Sequence, residues 1–547
     1  MAQTGSHLEL EGRFERSFLG ERFGQVKATQ DLFSVLAADY AKEPLYREPM
    51  TDHATRRSVR KASLCRHTSR VVALLACGII SGTQHAGEKT GRHQARNTSL
   101  QITHISVVDG TGSKPRPDMT VVVSDGVIRY IGPSATKAPL SASTTINGRG
   151  KFLLPGLIDT HAHVAYLRFV DSSGARSAVY DDETSVASLR LLLAFGITTV
   201  RNPGGPTKEA VALRRRVASH EIDGPTIFTA GDILNRSSAS DGLTRAVEND
   251  GDVEREVEAQ AAAGVDFIKV YANMPPDLVA STIRAAHARG LKVIGHLQAT
   301  SWTKAAELGI DAICHGAPWS TDELPPNRRE TYIRAMSAEG AMRARLEWLD
   351  DAEPDGVEIQ TMVREISKRR IPIDPTLIAY ATKLLGDSPR FLNSRDLNVA
   401  PPLMRSSFQE LNFVRDWSIQ DFARGHRGWP KMQALILTYY RGGVLLTAGS
   451  DEPNSWIVPG PSLHTELQLL AETGLPPIDV ITIATRNGAE SLGILGQTGT
   501  ISVGKQADLL IVDADPTQDI ANTRRISLII KGGRIFRQQD LLSRLPS

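Results

Sequence analysis

The sequence predicts an α/β protein: a (β/α)8 TIM barrel carrying a small β-sandwich made from both flanks of the chain. Three observations predict it. Short apolar runs alternate with helical stretches eight times over about 300 central residues, the count for such a barrel with insertions. β-rich runs with Gly turns stand on either side of that stretch. Polar side chains with metal-binding chemistry follow several of the apolar runs, where barrel enzymes keep their active sites.

Composition sets the outer bounds. The chain has 547 residues, 41% hydrophobic and 23% charged, with a formal net charge of +2. Those values exclude a mainly disordered chain, a collagen and a multi-span membrane protein. Three cysteines exclude a disulfide scaffold and a zinc-finger array. A near-neutral body also argues against nucleic acid as partner, because phosphate binding needs a concentrated basic surface.

Residues 1–99 form a leader. Arg56, Arg57, Arg60, Lys61, Arg66 and Arg70 precede an apolar run at 71–80, which small and polar residues follow. This is the layout of a secretory signal peptide, too short to span a bilayer comfortably. Leu74-Leu75-Ala76-Cys77 resembles a bacterial lipoprotein signal, with Cys77 as the lipidated residue. The pattern predicts translation from Met50 and export, as a periplasmic or membrane-anchored lipoprotein of a bacterium. The alternative is a cytoplasmic enzyme with a disordered leader. Residues 81–99 read as a linker.

The first part of the sandwich is expected over 100–152, from runs at 101–108, 120–123 and 127–131 separated by Asp-Gly and Gly-Thr-Gly turns. Its second part is expected over 491–540, from runs at 499–503, 507–512, 527–530 and 534–536. The barrel, 153–490, takes its strands from 153–158, 197–200, 226–230, 267–270, 292–294, 312–313, 371–373 and 444–446. Helices at 183–195, 253–263 and 277–289 fall between them. The segments 321–370 and 376–443 exceed an ordinary crossover and are expected to add helices.

The residues after the strands carry the chemistry. After the first comes Asp159-Thr160-His161-Ala162-His163, and residues two apart on a strand share a face, so His161 and His163 can grip one ion. The fourth holds Lys269 as an inward lysine. The fifth ends in His296, the sixth in Cys314-His315 and the eighth in Ser450-Asp451. Singly, each has a bland reading as a hydrogen-bonded core residue or a helix cap. Together, six such groups at strand ends form a metal site, because unpaired polar groups there would be costly. Imidazole and carboxylate suit zinc and related divalent ions.

With those residues in view, the sequence resembles the amidohydrolase superfamily of metal-dependent hydrolases. The matching stretches are Leu154 to His163, the strand around Lys269, His296, His315, Ser450-Asp451-Glu452-Pro453 and the tail from Gly499 to Val512. The stretch from Ala286 to His296 is similar to the prolidase-like and imidazolonepropionase-related branch. The resemblance implies two divalent metal ions, one on His161, His163 and Asp451 and the other on His296 and His315. Lys269, carbamylated by carbon dioxide, would bridge them; unmodified, it leaves a single-metal enzyme. The implied reaction is attack of metal-bound hydroxide on an amide-type C–N bond in a dipeptide, an N-acyl amino acid or a cyclic amide. Asp451 would carry the proton to the departing nitrogen.

Tyr271, two residues after Lys269, is a candidate donor to the substrate carbonyl. Gln298, Trp302 and His464 are weaker pocket candidates. Adjacent on a strand, Cys314 and His315 are expected to face opposite ways and so form no nucleophile–base dyad. A deaminase of the same superfamily would commonly carry Glu three residues after the fifth-strand histidine, and Ala299 stands there. A non-catalytic barrel typically loses ligands, and none is lost here. The expected partners are a small-molecule or short-peptide substrate, a lipid anchor at Cys77 and further copies of the chain, but no nucleic acid. Specificity is assigned to loops 165–182, 232–246 and 317–325.

Overall fold

The computed structural model describes residues 99–172, 175–237 and 244–546. The leader, with Met50 and Cys77, lies outside the described residues, as do parts of loops 165–182 and 232–246. Among the described residues no helix is long and apolar enough to cross a membrane.

The chain opens with β1 (Ser99–Val107), β2 (Arg116–Ser124), β3 (Val127–Pro133), β4 (Thr144–Asn147) and β5 (Phe152–Pro155). Leu100, Ile102, Ile105 and Val107 are buried along β1, while Asp125-Gly126 turns the β2–β3 hairpin with Gly126 at φ +73°. The same sheet receives the far end of the chain. Following Leu157, the interior strands are β6 (Leu157–Asp159), the hairpin β7 (Leu167–Ser172) and β8 (Ala175–Tyr180), β9 (Ile197–Asn202), β10 (Thr226–Thr229), β11 (Ile233–Asn235), β12 (Thr244–Ala246), β13 (Phe267–Val270), β14 (Lys292–Gly295), β15 (Ala312–Cys314) and β16 (Ile373–Asp374). The terminal strands are β17 (Leu509–Val512), β18 (Ile526–Lys531) and β19 (Arg534–Phe536).

The flanks form one hydrogen-bonded sheet, in the order β19-β18-β17-β5-β1-β2-β3 with β4 on β1, rather than two separate layers. β17 runs antiparallel to β5, with Leu510 opposite Leu154, and so sews the two chain ends together. The run expected at 499–503 is irregular rather than a strand. The expected first barrel strand, 153–158, is split at Gly156: β5 joins the flank sheet and β6 the interior. A Cβ at Gly156 would meet Thr198 Oγ1 at 2.2 Å, so only glycine lets the chain cross between the sheets here.

Apart from the antiparallel β7–β8 hairpin, which stands as its own sheet, the interior strands are parallel, in two sheets ordered β10-β9-β6 and β12-β11-β13-β14-β15-β16. Single bridges, Ala230 with Phe267 and Ile373 with Leu446, carry the order onward, and Thr160 N–H donates to Ala448 O at 2.8 Å. The segments thus follow barrel order without one continuous closed sheet. The run at 444–446 contributes only its bridge. These ladders end early because the chain leaves extended backbone where the site begins: His315 has φ +80° and Asp451 φ +57°.

Helices fill the crossovers: α1 (Asp182–Ala194), α2 (Thr207–Ala218), α3 (Asp250–Ala263), α4 (Pro276–His287) and α5 (Trp302–Leu308). Between β15 and β16 stand α6 (Arg329–Glu339), α7 (Ala341–Asp351) and α8 (Val357–Lys368). After β16 come α9 (Leu377–Leu384) and α10 (Ile419–Arg441), and later α11 (Pro461–Glu472). Leu, Ile and Val from these helices pack on the parallel strands in one large core.

Candidate metal centre

The site begins where β6 ends. The buried carboxylate of Asp159 accepts from His161 N–H at 2.9 Å, Ser450 N–H at 3.2 Å and Ser450 Oγ at 2.7 Å. It therefore fixes the first strand end against the last. Burial pushes this carboxyl up to about 6, against the pull of those hydrogen bonds. Asp451 N–H donates to His161 O at 2.8 Å, completing the clasp.

That clasp brings three donors together. Asp451 Oδ1 lies 3.3 Å from His161 Nε2 and 3.6 Å from His163 Nε2. Four-coordinate zinc, with bonds of about 2.1 Å, requires neighbouring donors about 3.4 Å apart, so these atoms fit one ion. Burial pushes the Asp451 carboxyl up, but His161 and His163 outweigh it and hold it well below the usual range. His163 Nδ1 lies 2.8 Å from Gly204 O, a carbonyl that can only accept, so Nδ1 carries the proton and Nε2 faces Asp451 as the donor atom.

His161 is held from behind. Its Nδ1 donates to Asp374 Oδ1 at 2.7 Å, and Arg201 Nη2 donates to Asp374 Oδ2 at 2.5 Å. Arg201 also donates through Nε to Thr160 O at 2.7 Å. All three side chains are buried. A carboxylate behind a ligating imidazole fixes its tautomer and direction.

The other two histidines stand beside this trio. The His315 ring centroid is 4.8 Å from that of His161 and 4.3 Å from that of His296. His315 Nδ1 and Thr376 Oγ1 are 2.9 Å apart. Burial and neighbouring positive charge hold both His296 and His315 well below the ordinary histidine value, which favours the neutral form that ligates metals. Tyr271 is half-buried with its ring 4.6 Å from His296.

Lys269 is buried on β13, and its Nζ donates to Cys314 Sγ at 2.9 Å. This corrects the sequence expectation for β15. Cys314 and His315 do not face opposite ways: the left-handed φ at His315 breaks the alternation, so Cys314 reaches Lys269 while the His315 ring reaches His161 and His296. His161, Cys314 and Asp374 also offer donors within 4.8 Å of one another. Asp374 is already committed to His161 and Arg201, so this second group supports the first trio.

The remaining candidates fall elsewhere. Trp302 is fully buried against Tyr439, and His464 is buried between Thr523 Oγ1 and Phe195 O. Gln298 Nε2 donates to Met336 Sδ at 3.4 Å. Asp374, Arg201 and Thr376 were missed from sequence. The signal for Arg201 was an arginine inside a strand that is buried at every position.

Comparisons with known proteins bear on the family and the fold. The amidohydrolase family model matches residues 152–384 and 402–536. An imidazolonepropionase of Pseudomonas putida strain GB-1 is 23% identical over 442 residues, covering 78% of this chain and 94% of its own. The solved structure of a Xaa-Pro dipeptidase with bound methionine superposes with a TM-score of 0.59 at 19% identity, over 80% of this chain and 100% of its own. Bottromycin amidohydrolase gives 0.60 at 21% identity, over 82% and 89%. At such identities the structural likeness is one of fold, the (β/α)8 barrel type. Matched over most of its length beyond residue 151, the chain belongs to the amidohydrolase family.

Proposed function

We propose that this protein is a metal-dependent hydrolase that cleaves an amide-type C–N bond in a dipeptide, an N-acyl amino acid or a cyclic amide. The observation that carries the proposal is the convergence of His161 Nε2 and His163 Nε2 on Asp451 Oδ1 at 3.3 and 3.6 Å. In this reading the interior strands make one (β/α)8 barrel. His161, His163 and Asp451 would hold one divalent ion, zinc by the chemistry of its donors, and His296 and His315 would hold a second, with Lys269, as a carbamate, supplying a further oxygen donor. When bound, the ions acidify a water and polarise the scissile carbonyl.

The chain's own residues do the rest. Asp451, ionised and aimed into the cluster, takes a proton through its carboxylate and hands it to the departing nitrogen. Tyr271, beside His296, donates from its phenol to the carbonyl oxygen as charge develops there. Asp159 and Asp374 keep Asp451 and His161 in place. A deaminase is disfavoured, since Ala299 has no group able to shuttle a proton after His296. Export with a lipid on Cys77 completes the reading, supported by the basic and apolar pattern of the leader.

A panel of Xaa-Pro, Xaa-Arg and N-acyl amino acid substrates, run with and without added zinc, tests it. Zinc-dependent release of an amine from at least one of them is expected. Release of ammonia from a nucleobase alone would overturn the proposal.

A further inference from the structure

Two cations stand near the ligand cluster without an acidic partner. Arg345, on α7, lays its guanidinium over the Trp319 ring, 5.3 Å from the centroid, and its Nη1 donates only to Met342 Sδ at 3.4 Å. Its Nε is buried with no hydrogen-bond partner among the described residues. Lys383, on α9, donates to the Ala379 carbonyl at 2.8 Å, one turn back on its own helix. Among the described residues no carboxylate lies within ion-pair distance of either side chain.

Several other arginines enclosed in this fold have carboxylate partners. Arg201 has Asp374, Arg214 has Asp266, and Arg424 has Glu347 and Asp350. An enclosed cation without a counter-charge is costly, so the lack of one at both Arg345 and Lys383, beside the ligand cluster, calls for a reason.

Their position supplies the reason. Trp319, under the Arg345 guanidinium, donates from Nε1 to Tyr380 Oη at 3.1 Å, and the Tyr380 ring centroid is 6.2 Å from that of His315. Lys383 follows Tyr380 by three residues on α9, hence on the same face. The electrostatics agree with this proximity. After burial, the Arg345 charge is the largest influence holding His296 down, and the Asp451 charge acts on Lys383, whose amine burial lowers to about 8.

We infer that Arg345 and Lys383 form an anion subsite on the α7–α9 side of the metal ligands, and that the substrate carries a carboxylate there. The planar guanidinium matches a carboxylate in two parallel hydrogen bonds, and the lysine adds a second positive charge. This rests on the hydrolase reading above, because it assigns a substrate charge to the same site. Charge-assisted hydrogen bonds in a partly buried place make the acid bind about tenfold or more tighter than its neutral carboxamide.

Calorimetry on the zinc-loaded protein tests it, with a ketomethylene dipeptide isostere as the free acid and as the carboxamide. The wild type is expected to prefer the acid by about tenfold or more, and Arg345→Met and Lys383→Met each to bring the ratio toward one. Arg345→Lys, which keeps the charge, is expected to retain part of the preference. Thermal unfolding checks that each variant folds. Equal binding of acid and carboxamide by the wild type, or a ratio unchanged in both methionine variants, overturns the inference. A wild type that prefers the acid yet cleaves no amide sinks the hydrolase reading and leaves the subsite standing. One that cleaves amides and binds acid and carboxamide alike does the reverse.

Discussion

His161 donates its Nδ1–H to Asp374 at 2.7 Å while the opposite oxygen of that carboxylate receives Arg201. One buried aspartate thus aims the Nε2 of a candidate ligand and neutralises a buried arginine. Asp374→Asn keeps the shape but weakens the grip on His161, and is expected to lower zinc affinity about 10–100-fold. Chelator competition measures that loss. Asp374→Ala also leaves Arg201 uncompensated and is expected to cost about 3–5 kcal/mol in urea unfolding. Unaltered zinc affinity in the Asn variant would show that Asp374 does not orient the ligand.

Gly449 admits no side chain. A Cβ there would meet His161 Cβ at 2.7 Å and Asp374 Cβ at 3.3 Å. Gly449→Ala is expected to push both residues, costing about 1–3 kcal/mol of stability and weakening zinc binding together. Loss of stability with metal affinity intact would separate packing from ligand placement.

Lys269 must exchange its hydrogen bond to Cys314 Sγ for a carbamate if it bridges two ions. Protein loaded with zinc in 13C-labelled bicarbonate is expected to show one carbamate carbon resonance, absent from Lys269→Arg. With no resonance in the wild type, a single-ion site is the surviving description.

His464, held between Thr523 Oγ1 and Phe195 O, is not among the candidate ligands, and its titration is coupled to folding. Burial, with the Arg524 charge, lowers it from 6.5 to about 3. The unfolded chain therefore takes up a proton below pH 6.5 that the native state refuses, so stability falls as pH drops from 6.5 toward 3. The full effect is on the order of 4–5 kcal/mol. Urea midpoints between pH 7 and 4 are expected to fall less steeply in His464→Gln than in the wild type. Parallel slopes would exclude a neutral buried His464.

The parts of the site that obey local rules were legible in the sequence. His161 and His163 sit two apart beyond a strand, and Lys269 interrupts an apolar one. Cys314 misled because period-two alternation assumes extended backbone, and His315 at φ +80° is not extended. Asp374 and Arg201 stayed hidden because they meet only in space, 173 residues apart. Likewise, 153–158 reads as one apolar strand, and its division at Gly156 depends on Thr198 of a neighbouring strand. Arg345 and Lys383 look like ordinary surface residues until their lack of carboxylates and the nearness of His315 and Tyr380 are seen together.

Metal-restored turnover tests the central claim most directly. Protein stripped by chelation is titrated with zinc while hydrolysis of the best substrate from the dipeptide and N-acyl panel is followed. Activity is expected to rise with each equivalent and to level at one or two ions per chain, and to be lost in Asp451→Asn. Tight binding of zinc with no turnover of any amide or ester would contradict the account.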